Sequence, residues 1–315
     1  MRTRLLALAA AVPLLLGAPA AAVASANTAA APALPASHPC GAMAKPPAYT
    51  HVIWVLMENH SYNTIIGSSQ APYINSLASA CGLATNYHNI SHPSLPNYVG
   101  MTSGLGFATL QSFKSDCNPS HGCSTAAASI FGQGETWRAY EETMPSNCYP
   151  VDSGEYAVRH NPPPYFSTLA GCSQFDVPYS QLASDLAAGT LPAFSFITPN
   201  VIDDMHDGTI ADGDNWLKAN LPAIFNSQQY RDGSTAVFVT WDEGEGGTAQ
   251  KGATNTTDVG CHVATIVISP STRPGTRSGT LFNHYSLLGT AEQLLGLPKL
   301  GLASAYPTLT SAFHL

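Results

Sequence analysis

Four apolar runs constrain this chain more than anything else in it: His51–Met57 (HVIWVLM), Ala193–Thr198 (AFSFIT), Thr235–Thr240 (TAVFVT) and His262–Ser269 (HVATIVIS). None shows the alternation of a half-exposed strand. Each reads as a strand buried on both faces, the habit of a parallel sheet covered by helices. Between and around the runs, helical patterns fall at Ile74–Ala80, Ser129–Glu142, Ser180–Ala188, Asp214–Phe225 and Tyr285–Leu295. Strands alternating with helices predict an α/β fold on a mostly parallel sheet.

In such sheets ligands bind beyond the carboxyl ends of the strands. The residues immediately after each run are therefore informative. His51–Met57 leads into Glu58-Asn59, Ala193–Thr198 into Pro199-Asn200 and then Asp203-Asp204-Met205-His206-Asp207, and Thr235–Thr240 into Trp241-Asp242-Glu243-Gly244. Carboxylates at strand ends are commonly ordinary solvated loop residues. Glu58, Asn59, Asp242 and Glu243 together, at the ends of two buried strands, offer oxygen ligands for a hard or borderline divalent cation. Gly244 lets the backbone turn closely there.

The segment His92-Pro93-Ser94-Leu95-Pro96-Asn97-Tyr98 supports two readings. Pro96 suits the first turn of a helix and Ser94 suits its N-cap, which is a purely structural role. The same geometry also concentrates free N–H groups and positive dipole, and so holds an anion such as phosphate. A serine there, beside a metal ion, is equipped to attack phosphorus. His160, in Arg-His-Asn-Pro, and His206, in Asp-Met-His-Asp, lie in polar loops and are candidates for the same site. His262 and His284 are expected to be structural or supporting.

Competing chemistries lack their signatures. There is no G-x-S-x-G elbow, no G-x-x-x-x-G-K-[ST] loop and no G-x-G-x-x-G. A formal charge of −8 over 315 residues argues against a nucleic-acid partner. The start of the chain reads as an export signal: Arg2 and Arg4, the apolar run Leu5–Leu16, and Ala24-Ser25-Ala26 as a cleavage site. Residues 27–48 then read as an extended, poorly ordered Ala/Pro-rich leader, and 49–315 as the globular domain. No later segment is apolar for long enough to span a bilayer. The protein is thus expected to be secreted and soluble, without integral membrane contact. Export makes disulfides plausible for the seven cysteines, and the odd number leaves at least one thiol unpaired. Turn-rich loops favour Cys117–Cys123 and Cys148–Cys172, with Cys40, Cys81 and Cys261 unassigned.

Taken together, VLMENHSY (55–62), HPSLPNY (92–98), RHNP (159–162), TPN followed by DDMHDG (198–208), FVTWDEG (238–244), VISP (267–270) and HYSLL (284–288) resemble the phosphoesterase family. That family contains bacterial acid phosphatases and phosphatidylcholine-type phospholipases C, within the alkaline-phosphatase-like superfamily. The resemblance implies a three-layer α/β/α sandwich and hydrolysis of phosphate esters through a metal-assisted Ser or Thr nucleophile. The Ser-Leu-Pro-Asn stretch is similar to the nucleophile stretch of nucleotide pyrophosphatase/phosphodiesterases, which implies Ser94 rather than Ser91. The family's Glu-Asn pair corresponds to Glu58 and Asn59, its late acidic pair to Asp242 and Glu243, and its histidines to His160 and His206. Asn97 would stabilise charge on the phosphoryl oxygens. The full ligand set of two-metal alkaline phosphatases is missing, which implies one divalent cation or a minimal site. The chain's length against the phospholipase C members favours a phosphomonoesterase acting on a small phosphate ester. A phospholipase C acting on phospholipid head groups and a non-catalytic binding protein are the alternatives.

Overall fold

The computed structural model describes residues 39–246 and 256–315; the expected export signal and residues 27–38 of the leader lie outside them. Nine strands form one sheet. They are β1 (His51–Met57), β2 (Gly82–His88), β3 (Trp137–Glu141), β4 (Asp176–Pro178), β5 (Phe194–Thr198), β6 (Thr235–Trp241), β7 (His262–Ile268), β8 (Thr276–Ser278) and β9 (Phe282–Asn283). The order is β4-β3-β5-β1-β6-β7-β2-β8, with β9 also on β2. Every pairing is parallel except the two made by β7, which runs against β6 and β2. Four of the strands are the apolar runs, and β1, β5 and β6 lie side by side at the centre.

Five helices have eight residues or more: α1 (Pro72–Ala80), α2 (Ser94–Ser103), α3 (Gln181–Ala188), α4 (Ile210–Phe225) and α5 (His284–Leu294). α1 packs on α4, and α2 on α5, which completes the α/β/α sandwich. The first turn of α4 is closed by a capping box in which Thr209 and Asp212 each bond the other's backbone, satisfying otherwise free N–H groups. α2 ends at Gly104, whose φ of 72° is left-handed and favours glycine.

One expected helix is absent. Ser129–Glu142 is a short turn at Ile130–Gly132 followed by β3. Gly132 and Gly134, the latter with φ 99°, interrupt a helix. Trp137-Arg-Ala-Tyr-Glu141 then pairs along its whole length with β5, so tertiary pairing overrides a weak helical pattern. β2 is half-polar in sequence and carries no strand signal of its own.

Both expected disulfides, Cys117–Cys123 and Cys148–Cys172, are present, and a third joins Cys40 to Cys81. Cys261 is buried and lies outside these cross-links. The described end of the leader is fastened rather than loose. Beyond the disulfide, Met43 N donates to Pro270 O at 3.0 Å, and Tyr230 Oη to Pro39 O at 2.7 Å.

Candidate active site

β1, β5 and β6 end at one edge of the sheet, and the residues after them converge there with the N-terminus of α2. Glu58 comes directly after β1 and is fully buried. Asp242 and Glu243 come directly after β6. The turn beyond them is tight: a Cβ on Gly244 would lie 2.6 Å from Ser61 Oγ and 2.7 Å from Gly260 O, so only glycine fits. Asn59 adopts φ 50°, which aims its N–H at Asp242 Oδ1, 3.3 Å away.

Ser94 is the first residue of α2, after Pro93 at the cap. Its hydroxyl does not cap the helix. It donates to Glu58 Oε2 at 3.0 Å. One helical turn later, Tyr98 donates to the other oxygen, Glu58 Oε1, at 2.5 Å. Asn97 is tied to the loop that precedes the helix. Its Oδ1 accepts from Ile90 N and Ser91 N, and its Nδ2 donates to Ser91 O at 2.9 Å and to Glu243 Oε2 at 3.3 Å. His92 Nδ1 approaches the same Glu243 oxygen at 2.6 Å.

The histidines form a second flank. His160 is buried, stacked on Tyr98 with ring centroids 5.4 Å apart. Its Nδ1 is 3.0 Å from Asp204 Oδ2, and a carboxylate there selects the tautomer with a bare Nε2. Nε2 lies 3.3 Å from Glu58 Oε1 yet has no hydrogen-bond partner. His206 is half-buried, with Nδ1 2.7 Å from Asp207 Oδ1 and Nε2 3.3 Å from an Arg159 nitrogen. Ligand atoms of Glu58, His160 and His206 all lie within 4.8 Å of one another.

Four carboxylates, Glu58, Asp204, Asp242 and Glu243, are thus buried together, and each is pushed above the usual carboxylate range. Burial is the largest cause for all four. The charges of Asp242 and Asp204 add to it for Glu58, and that of Glu243 for Asp242, which reaches about 7. Burial lowers His160, and Arg159 and His206 lower it further, so its ring is neutral. Buried negative charge of this density calls for protons or a cation. Asp242 Oδ2, buried and without a hydrogen-bond partner, is the kind of oxygen a cation takes. The donor set therefore fits a divalent metal ion.

Glu58, Ser94, Asn97, His160, His206, Asp242 and Glu243 reach this edge, as does the backbone N–H of Asn59, and others join them. Tyr98 was legible from its i+4 spacing to Ser94, which puts both on one helix face. Asp204 and Arg159 stood beside the chosen histidines. His92 and Asp116, which accepts from Leu95 N at 2.9 Å, carried no separable sequence signal. His284 proves supporting: its Nε2 lies 2.6 Å from Asp242 O.

Comparison with known proteins adds independent information. A family model described as Phosphoesterase family matches residues 68–298. A phosphatidylinositol-3-phosphatase of Mycobacterium tuberculosis is 34% identical over 266 residues, 84% of this chain and 83% of that protein. An acid phosphatase of Aspergillus fumigatus is 26% identical over 81% of this chain, which spans only 56% of that protein's length. Among solved structures, a protein in the alkaline phosphatase superfamily from Vibrio parahaemolyticus superposes with a TM-score of 0.55 at 14% identity, over 88% of this chain and 74% of that one. This last likeness speaks to the fold alone.

Proposed function

The chain belongs to the Phosphoesterase family, and from that premise we propose that it is an exported, metal-dependent phosphomonoesterase working through a phosphoserine at Ser94. Hydrolysis of phosphoric esters follows from the family and its phosphatase relatives. The single observation that carries the finer reading is the placement of Ser94: at the N-terminus of α2, with its hydroxyl on a buried carboxylate at the sheet edge.

Glu58, Asp242 and Ser94 would hold the cation, with Asn59 and Glu243 alongside and His160 as a nitrogen donor. A divalent ion there supplies positive charge against the phosphoryl oxygens. The chain's own residues do the rest. Glu58, fixed by Tyr98, orients the Ser94 hydroxyl. Ser94 Oγ passes its proton to Glu58 Oε2 and attacks phosphorus in line, and the phosphorus–oxygen bond to the leaving group breaks. The positive end of α2 faces the developing charge. His206, half-buried and steadied by Asp207, gives the leaving oxygen its proton. It then takes a proton from the water that attacks phosphorus, the phosphorus–Ser94 Oγ bond breaks, and Glu58 returns the proton to Ser94. His160, neutral and anchored by Asp204, serves as a ligand rather than an acid. Asn97 positions the Ser91–Pro93 loop and Glu243.

The relatives named as phosphatases support monoesters over diesters, and three disulfides support an oxidising destination. The test is hydrolysis of p-nitrophenyl phosphate against its bis-ester, with and without chelator, in the full chain and in Ser94→Ala. Acid quench during turnover is expected to leave phosphate on the Ser94 peptide. A folded Ser94→Ala protein with near wild-type turnover would overturn the covalent route.

A further inference from the structure

The first turn of α2 offers few N–H groups to a substrate, because Pro96 has none. The N–H of Leu95, next to Ser94, is one of them, and it is already taken. Asp116 Oδ1 accepts from it at 2.9 Å. Asp116 comes from a separate loop, in a left-handed conformation with φ 48°. The loop is held in place: Asp116 N donates to Phe113 O at 3.1 Å, Cys117 is bonded to Cys123, and Tyr165 Oη donates to Cys117 O at 3.0 Å. Burial pushes the Asp116 carboxyl above the usual carboxylate range while the Arg159 charge pulls it back, and Asp116 in turn raises Glu243. A carboxylate on a helix N-terminal N–H, within the field of a guanidinium, occupies the setting of a phosphoryl oxygen. The unpartnered Asp242 Oδ2 and His160 Nε2 belong to the same cluster.

We propose that Asp116 is an internal anion that holds the phosphoryl subsite in the free enzyme and must be displaced by substrate, so that it sets selectivity between phosphate esters. The inference rests on the reading of Ser94 as the residue that meets phosphorus. A dianionic monoester brings more charge to Leu95 N–H and Arg159 than a monoanionic diester, and so displaces Asp116 more readily. Asp116 is a specificity residue that contacts the subsite, not one that reacts.

Two variants test this. Asp116→Asn keeps shape and loses charge. Asp116→Gly removes the side chain at a φ that glycine adopts freely. Binding of inorganic phosphate to the full chain is measured by calorimetry, beside kinetics on p-nitrophenyl phosphate and its bis-ester. Both variants are expected to bind phosphate about tenfold or more tighter, the scale of one charge-assisted hydrogen bond. KM for the monoester is expected to fall without a rise in kcat, and preference for monoester over diester to shrink. Unchanged or weaker phosphate binding in both folded variants overturns the inference, because a purely structural Asp116 gives that result. Phosphate binding that tightens in a protein without turnover sustains the inference and sinks the catalytic reading. No phosphate binding in any of the three proteins removes both.

Discussion

Asp176, the first residue of β4, and Glu141, the last of β3, are both buried, 0% and 1% exposed. Among the described residues no Lys, Arg or His hydrogen-bonds to either carboxyl. Asn161 Nδ2 donates to Asp176 Oδ2 at 2.9 Å, Thr198 Oγ1 to Glu141 Oε1 at 3.4 Å, and Asp176 Oδ1 has no partner. Burial pushes Asp176 up to about 8, and burial together with the Asp176 charge pushes Glu141 well above its usual range. In the unfolded chain Asp titrates near 3.9. Between about pH 4 and pH 8 the folded state therefore holds a proton that the unfolded state has lost. Stability is full below the lower value and falls as pH rises, by about 1.4 kcal/mol per pH unit per proton. From pH 5 to pH 7 the loss from this carboxyl is about 3 kcal/mol. Asp176→Asn is the neutral isostere and removes that proton uptake. Urea unfolding at pH 5, 6 and 7, with chelator present in every sample, reads the difference between variant and wild type; the active-site carboxylates contribute to both and cancel. The variant is expected to gain about 3 kcal/mol relative to wild type across this range. Parallel stability curves would refute the reasoning, since they would mean Asp176 is ionised in the fold.

Four further outcomes are expected. Asp242→Ala is expected to lose bound divalent cation, checked by titrating Mg2+, Mn2+ and Ca2+ calorimetrically into chelator-stripped protein; unaltered affinity for all three would remove Asp242 from the ligand set. Asp204→Asn, which disturbs the anchor of His160, is expected to weaken cation binding about 10–100-fold with little change in melting temperature; wild-type cation affinity in the folded variant would show that the anchor does not tune the site. Opening Cys40–Cys81, with its sequence separation of 41, is expected to cost about 4 kcal/mol against about 2 kcal/mol for Cys117–Cys123, with its separation of 6; equal losses in denaturant unfolding would point away from loop-closure entropy. Ser94→Ala is expected to lose several orders of magnitude in turnover while keeping its fold and its affinity for phosphate, measured by circular dichroism and calorimetry.

By itself the sequence determined the strand-rich centre. Runs such as VIWVLM and TAVFVT are almost wholly apolar, and only a strand covered on both faces buries them all. It also placed Glu58, Asp242, Glu243 and His206 beyond strand ends, because a chain that leaves a buried strand must become polar where it meets solvent. Ser94 was singled out by the resemblance of its Ser-Leu-Pro-Asn stretch, although on local sequence alone a cap was the better fit. Only the tertiary structure shows where its hydroxyl goes, by bringing Glu58, 36 positions away, to it. The same holds for β3, whose helix-like pattern yielded to pairing with β5, and for β2, whose polar residues hid a strand wedged beside β7. Asp116 was invisible for the same reason. Its partner Leu95 lies 21 residues away, and nothing local records a contact made through space. Periodicity and turn chemistry act over a few residues and are written in the chain, whereas hydrogen bonds between distant loops depend on how the sheet orders its strands.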